Sequence, residues 1–140
     1  MKLSTKSTYG LRAMVNIAYN SKRGATSIMD IAKAEGISVS YLEQLLNRLR
    51  HEGLVESIRG PKGGYVLSKA ADKITVGDVV KTLEKDVAPV HCITTKSSSK
   101  NGCERSKICV TKDVWERLAK SIADCLNSVT LADLCKKAKR

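Results

Sequence analysis

The 140-residue sequence predicts a mainly α-helical chain with one small β-hairpin. Three observations predict it. Apolar residues recur at helical spacing in three blocks before Gly53. Two short β-prone runs then flank a glycine-rich segment between Leu54 and Leu67. A coiled-coil-like apolar repeat appears later, between Trp115 and Val129.

The first helix is carried by Leu11, Met14, Val15, Ile17 and Ala18, and Ser21-Lys22-Arg23-Gly24 ends it. Ser27-x-x-Asp30 resembles a capping box with a shorter acid, and opens a second helix with Ile28, Ile31 and Ala32 as its stripe. Gly36 stops that helix, and Ile37 should anchor the turn in the core. The third helix starts near Ser38 or Ser40, because Ser40-x-x-Glu43 also fits a capping box. Val39, Leu42, Leu45, Leu46 and Leu49 form its apolar face, and Gly53 closes it. Leu54–Ile58 and Tyr65–Leu67 are the β-prone runs. Arg59-Gly60-Pro61-Lys62-Gly63-Gly64 between them requires a turn, so this is a hairpin with a basic tip. Thr75 can cap a fourth helix over Val76–Leu83.

A long helix should run from beyond Cys109 to about Ser128. Trp115, Leu118, Ile122, Cys125 and Val129 are spaced 3, 4, 3 and 4 along it. That seam suits a second copy of the chain, with packing on the first helix as the alternative. Cys125 would act there as a small buried apolar residue. Thr130–Leu134 reads as a short terminal helix. The order of elements is that of a winged helix-turn-helix at 1–70, a connector helix at 71–90, a cysteine loop at 91–109, a dimerisation helix and short terminal helix at 110–135, and a frayed tail at 136–140.

Composition narrows the function. Lys and Arg number 25 against 14 Asp and Glu, a formal net charge of +11, so a polyanion is the natural partner. The basic excess is spread over both halves, so a folded surface must present it. With no Phe, one Trp and four Tyr, the core is aliphatic and a base-stacking surface for single strands is disfavoured. No acid/base pair, activated nucleophile or phosphate-binding glycine motif stands out, which argues against an enzyme. The N-terminus lacks the apolar stretch of a signal peptide, and no run of about 18 apolar residues could span a membrane. A cytoplasmic setting is expected.

The third helix is the candidate reader of duplex DNA, since an α-helix fits the major groove and presents its N-terminal residues there. Ser38 and Ser40 can bond phosphates or base edges, Tyr41 can reach a phosphate, and Gln44 can contact adenine. Glu43 beside a polyanion is unfavourable unless it accepts from a cytosine amino group; the plainer reading is a helix cap. At the hairpin tip, Arg59 suits the minor groove and Gly60 permits close approach. Lys62, Arg48, Arg50, Lys2 and Lys6 are candidate phosphate contacts.

These residues resemble a known group. Leu3-Ser4-Thr5-Lys6, Tyr41-Leu42-Glu43-Gln44-Leu45, Gly53-Leu54-Val55 and Arg59-Gly60-Pro61-Lys62-Gly63-Gly64-Tyr65 are similar to the bacterial iron–sulfur cluster regulators of the IscR-like family. Ile74-Thr75-Val76-Gly77-Asp78, Val114-Trp115 and Asn127-Ser128-Val129-Thr130-Leu131 extend the match into the second half. The resemblance implies a homodimeric winged-helix transcription regulator, dimerising through the 111–129 helix and binding double-stranded DNA. Two half-sites about one helical turn apart would make its site pseudo-palindromic.

Five cysteines are an odd number, so they cannot all pair within one chain. Cys92, Cys103 and Cys109 share one polar segment, separated by ten and five intervening residues. Three thiolates there could hold zinc, hold an iron–sulfur cluster, or form a redox switch. The resemblance implies a cluster, with the 2Fe–2S form favoured over 4Fe–4S. It also admits a relative type that regulates cysteine metabolism through an enzyme partner and has no cluster. The best-known members place a histidine ligand where this chain has Lys112, whose ammonium cannot ligate. The fourth position would fall to His91, Glu104, Asp113, a residue of the partner chain, an exogenous thiol or water.

Overall fold

The computed structural model describes residues 3–84 and 110–138. They form six α-helices and one antiparallel hairpin. Helix α1 (Thr5–Tyr19) buries Ala13, Met14, Ile17 and Ala18. Helix α2 (Ile28–Glu35) starts at Ser27, whose hydroxyl accepts from the Asp30 N–H, and stops at Gly36 in the left-handed region with φ 67°. Helix α3 (Val39–His51) starts at Ser38, whose hydroxyl accepts from the Tyr41 N–H at 3.3 Å. The two-residue ambiguity is thereby settled: Ser40 lies inside the first turn, and no Ser40–Glu43 box caps the helix. Such a cap stabilises a helix by about 1 kcal/mol.

Strands β1 (Val55–Ile58) and β2 (Gly64–Leu67) pair antiparallel, with Val55 opposite Leu67 and Ile58 opposite Gly64. Helix α4 (Val76–Leu83) buries Val76, Val79, Val80 and Leu83 as the periodicity predicts. Thr75 and Asp78 form a reciprocal capping box, and Thr130 and Asp133 form a second one at the start of α6 (Leu131–Lys137). The two helix starts lie side by side. Val76 N–H donates to the Val129 carbonyl at 2.8 Å, and Leu131 N–H to the Ile74 carbonyl at 2.9 Å. Helix α6 continues through Lys136 and Lys137, past the expected end at 135, because two lysines suit the negative end of a helix dipole.

One aliphatic cluster joins α1, α2, α3 and α4 and takes in Ile37 and Leu131. Helix α5 (Lys112–Asn127) has no fully buried residue. It packs along α4, whereas α1 is covered by α4 and α6. The alternative of an α5 seam packed on the first helix is therefore not what this chain does. Trp115, Ile122 and Val129 are half-buried, whereas Leu118 and Cys125 are exposed in the single chain. The eight residues of α4 cover only part of this 16-residue helix, so the single chain leaves Cys125 uncovered.

Candidate nucleic-acid interface

The exposed face of α3 carries Ser38, Ser40, Glu43, Gln44 and Asn47. With the cap assigned to Ser38, the Glu43 carboxylate has no hydrogen-bond or ion partner among the described residues. An unpaired, exposed acid near the start of a polar helix face is free to accept from a ligand.

The hairpin continues from the end of α3 through Leu54. Its tip, Arg59 to Lys62, is fully exposed. Gly60 has φ 113°, a conformation that other residues rarely adopt. The turn end of β2 is tied to the chain ahead of α2. Thr26 N–H donates to the Tyr65 carbonyl at 3.0 Å, and Tyr65 N–H donates back at 2.8 Å. At Gly64 a Cβ would lie 2.2 Å from the Thr26 carbonyl oxygen, so this close approach needs glycine. The wing is thus held to the helix-turn-helix rather than hanging from it.

Three expected phosphate contacts also bond within the chain. The Tyr41 hydroxyl shares a hydrogen bond with Thr5 Oγ1 at 3.0 Å. Its ring meets Tyr9 edge-on, with centroids 6.0 Å apart. Arg48 Nη1 donates to the Leu83 carbonyl at 3.4 Å, which fastens α3 to the end of α4. Arg50 is held by Asn47 Oδ1 at 3.0 Å. Lys6 and Lys62 remain exposed, and Lys2 lies outside the described residues.

A polar network that sequence reasoning missed braces the helices from behind. The Arg12 guanidinium stacks 5.5 Å from the Tyr9 ring centre. Its Nε lies 3.4 Å from Glu35 Oε1, and the same guanidinium donates to the Glu35 carbonyl. Asn16 Nδ2 donates to Glu35 Oε2 at 2.9 Å. Glu35 is 4% exposed, so a carboxylate is buried at the turn between α2 and α3 with its charge paired. The available signal was an acid on the apolar stripe of α2, facing Arg12 and Asn16 at helical spacing on α1.

A second missed cluster sits where α4 ends. Glu84 Oε1 accepts from the Ser4 N–H at 2.8 Å, the Ser4 hydroxyl at 2.6 Å and the Ser7 hydroxyl at 2.7 Å. Burial pushes the Glu84 carboxyl up, but those hydrogen bonds and the Lys6 charge outweigh it and hold it below its ordinary range.

Cys92, Cys103 and Cys109, with His91 and Glu104, lie outside the described residues. Lys112 opens α5 and pairs with Glu116 at 3.5 Å, while Asp113 is exposed in the same turn. Cys125 is exposed, and Cys135 is half-buried with its Sγ donating to the Val15 carbonyl at 4.0 Å. Among the described residues no cluster of His, Cys, Asp and Glu could hold a metal ion. No helix among them is long and apolar enough to cross a membrane.

Comparison with known proteins places this arrangement. The family model Rrf2, described as an iron-dependent transcriptional regulator, matches residues 3–137. The HTH-type transcriptional regulator IscR of Erwinia tasmaniensis is 45% identical over 134 residues, covering 96% of this chain and 78% of that protein. The solved structure of T. potens IscR is 41% identical with a TM-score of 0.80, covering 99% of this chain and 89% of the other. That of CymR, the global cysteine regulator of B. subtilis, is 38% identical with a TM-score of 0.81, covering 99% of each chain.

Proposed function

The chain belongs to the Rrf2 family and is a DNA-binding transcription regulator, not an enzyme, and from that premise we propose that it reads a specific duplex site as a homodimer and senses iron–sulfur cluster status. The observation that carries the specificity is the unpartnered Glu43 on the exposed face of α3, beside Ser40 and Gln44. An acid facing DNA lowers affinity for most sequences and is tolerated where a cytosine amino group meets it. Ser38, Ser40 and Gln44 supply the remaining groove contacts. Arg59 enters the minor groove at the wing, with Gly60 allowing approach and Lys62 on a phosphate. Tyr41 serves the interface indirectly, by holding α3 against α1.

The incompletely covered α5 supports dimerisation through the 111–129 helix. Val110 is 92% exposed and Val114 54% exposed, a large apolar share for a surface helix entry. A dimer sets two recognition helices about one helical turn apart, which predicts a pseudo-palindromic site. The wing and helix-turn-helix of 1–70 form the DNA-binding unit, 71–90 connects it to the cysteines of 91–109, and 110–135 carries the dimer contact. The regulator acts in the cytoplasm.

Cys92, Cys103 and Cys109 are the thiolates that would hold the cluster, their soft sulfur donors being the type such clusters take. When bound, a 2Fe–2S or 4Fe–4S cluster supplies a state that depends on iron and oxidation. Lys112 cannot complete the ligand set, because its ammonium has no lone pair and is engaged by Glu116. The 38% identity to a global cysteine regulator favours one second reading, a thiol-based sensor on the same DNA-binding fold.

Anaerobic preparation with iron, sulfide and visible absorption analysis, followed by binding to duplexes selected from a random library, tests both parts. The expected result is a coloured, iron-containing dimer with one preferred palindrome. A colourless, iron-free protein whose cysteine oxidation still changes DNA affinity selects the thiol reading. Equal binding to all duplexes overturns specific recognition.

A further inference from the structure

The strongest cluster without an assigned role is the Leu83–Glu84 junction. One carboxylate oxygen of Glu84 gathers three donors from the first turn of α1. Ser7 is 2% exposed, so its hydroxyl has no ready exchange with water. A carboxylate at a helix N-terminus also complements the helix dipole. The adjoining residue bonds a different helix, since the Leu83 carbonyl accepts from Arg48 of α3. The same turn of α1 reaches α3 again through Thr5 and Tyr41. Helices α1 and α4 approach closely, with the Leu83 side chain lying over Gly10. The end of α4, the start of α1 and the recognition helix are thus one connected body. The chain runs from Glu84 directly into the stretch that holds Cys92, Cys103 and Cys109.

We propose that Glu84 is a positioning residue that couples the cysteine-bearing stretch to DNA recognition, acting through Ser4 and Ser7 and then through the Thr5–Tyr41 bond. This rests on the reading of those cysteines as the sensor. Coupling needs a contact that differs between two states. A single oxygen with three donors provides one: while Glu84 is in place the first turn of α1 is held, and when Glu84 is withdrawn three donors lose their acceptor together. Withdrawal of Glu84 is therefore felt in α1 and, through the Thr5–Tyr41 bond, in α3.

The test is the ratio of DNA affinities between two preparations of full-length protein. One is reconstituted with ferrous iron and sulfide, the other is chelator-stripped and reduced; diamide oxidation of the stripped protein is run in parallel. Wild type should show a ratio of about 5-fold or more in at least one comparison. Glu84→Ala and Ser7→Ala should bring it to about 1 while both variants still melt cooperatively and bind DNA. Glu84→Gln, which keeps the accepting oxygen, should retain part of the ratio. A purely structural role would shift both preparations equally and leave the ratio unchanged, and that result overturns the proposal. Ser7→Ala, the milder change, decides the matter if Glu84→Ala does not fold. A wild-type ratio of 1 under iron loading and under oxidation rejects the sensor reading itself, an outcome distinct from an unchanged ratio in the variants.

Discussion

The phenol oxygen of Tyr41 on α3 lies 3.0 Å from Thr5 Oγ1 in the first turn of α1. A side chain expected at a DNA phosphate also joins two helices. Tyr41→Phe and Thr5→Ala should each cost about 0.5–1.5 kcal/mol in denaturant unfolding, and the double variant should cost no more than either. The log–log salt slope of DNA binding should stay the same. A slope reduced by about 1 in Tyr41→Phe alone would show the phenol on a phosphate after all.

Arg12 and Glu35 make an ion pair with one member buried, at 3.4 Å. Breaking a fully buried pair costs about 3–5 kcal/mol. The Arg12 side chain is 47% exposed, so solvent screening reduces the effect. Arg12→Met should therefore destabilise by about 1–3 kcal/mol, partly offset by the hydrogen bond that Asn16 still gives Glu35. An unchanged urea midpoint would mean that Asn16 alone satisfies the carboxylate.

Glu43 and Arg59 should separate affinity from selectivity. Glu43→Ala should leave thermal stability within about 0.5 kcal/mol, since the side chain is exposed and unpartnered. It should raise affinity for mismatched duplexes and flatten discrimination. Arg59→Ala should weaken binding to the preferred duplex by about 1–3 kcal/mol. Footprint titrations on matched and single-mismatch sites measure both, and unaltered discrimination in Glu43→Ala removes it from base reading.

Acid should release the Glu84 junction. Its carboxyl titrates below the ordinary value of 4.5 in the folded chain, so its contribution to stability is complete above that value. It disappears as the pH falls through the lowered folded-state pKa. Wild type should be more stable than Glu84→Gln at pH 7, with the gap closing as the pH falls below 4.5. Urea midpoints across that range provide the check, and a gap that is constant with pH contradicts the assignment.

Leu118 is 38% exposed on α5. Leu118→Glu should convert a dimer to monomers in sedimentation equilibrium and lower affinity for a two-half-site duplex much more than for a single half-site. A dimer that survives this change locates its interface elsewhere.

Element order, caps and the wing were legible in the sequence. Thr75 with Asp78 and Ser27 with Asp30 act within one turn, so their spacing alone announces a helix start. The start of α3 was ambiguous because Ser38 and Ser40 satisfy the same local rule, and the hydrogen bond from the Tyr41 N–H to Ser38 identifies the cap. The seam of α5 was legible as periodicity, but its coverage was not, since a repeat does not state what lies against it. In the single chain Cys125, on that seam, is exposed.

The sequence by itself determined the order of helices and hairpin, a net charge of +11 and three cysteines in one segment, because periodicity, turn residues and charge are properties of neighbouring positions; the family came from the resemblance of its motifs. Only the tertiary structure decided which polar groups meet. Tyr41 finds Thr5 across 36 residues, Asn16 finds Glu35 across 19, and Ser4 finds Glu84 across 80. Hydroxyls and carboxylates of these kinds have many possible partners in a sequence. Burial of the aliphatic core brings a few of them within reach, and a buried polar group must bond to whatever packing has placed beside it.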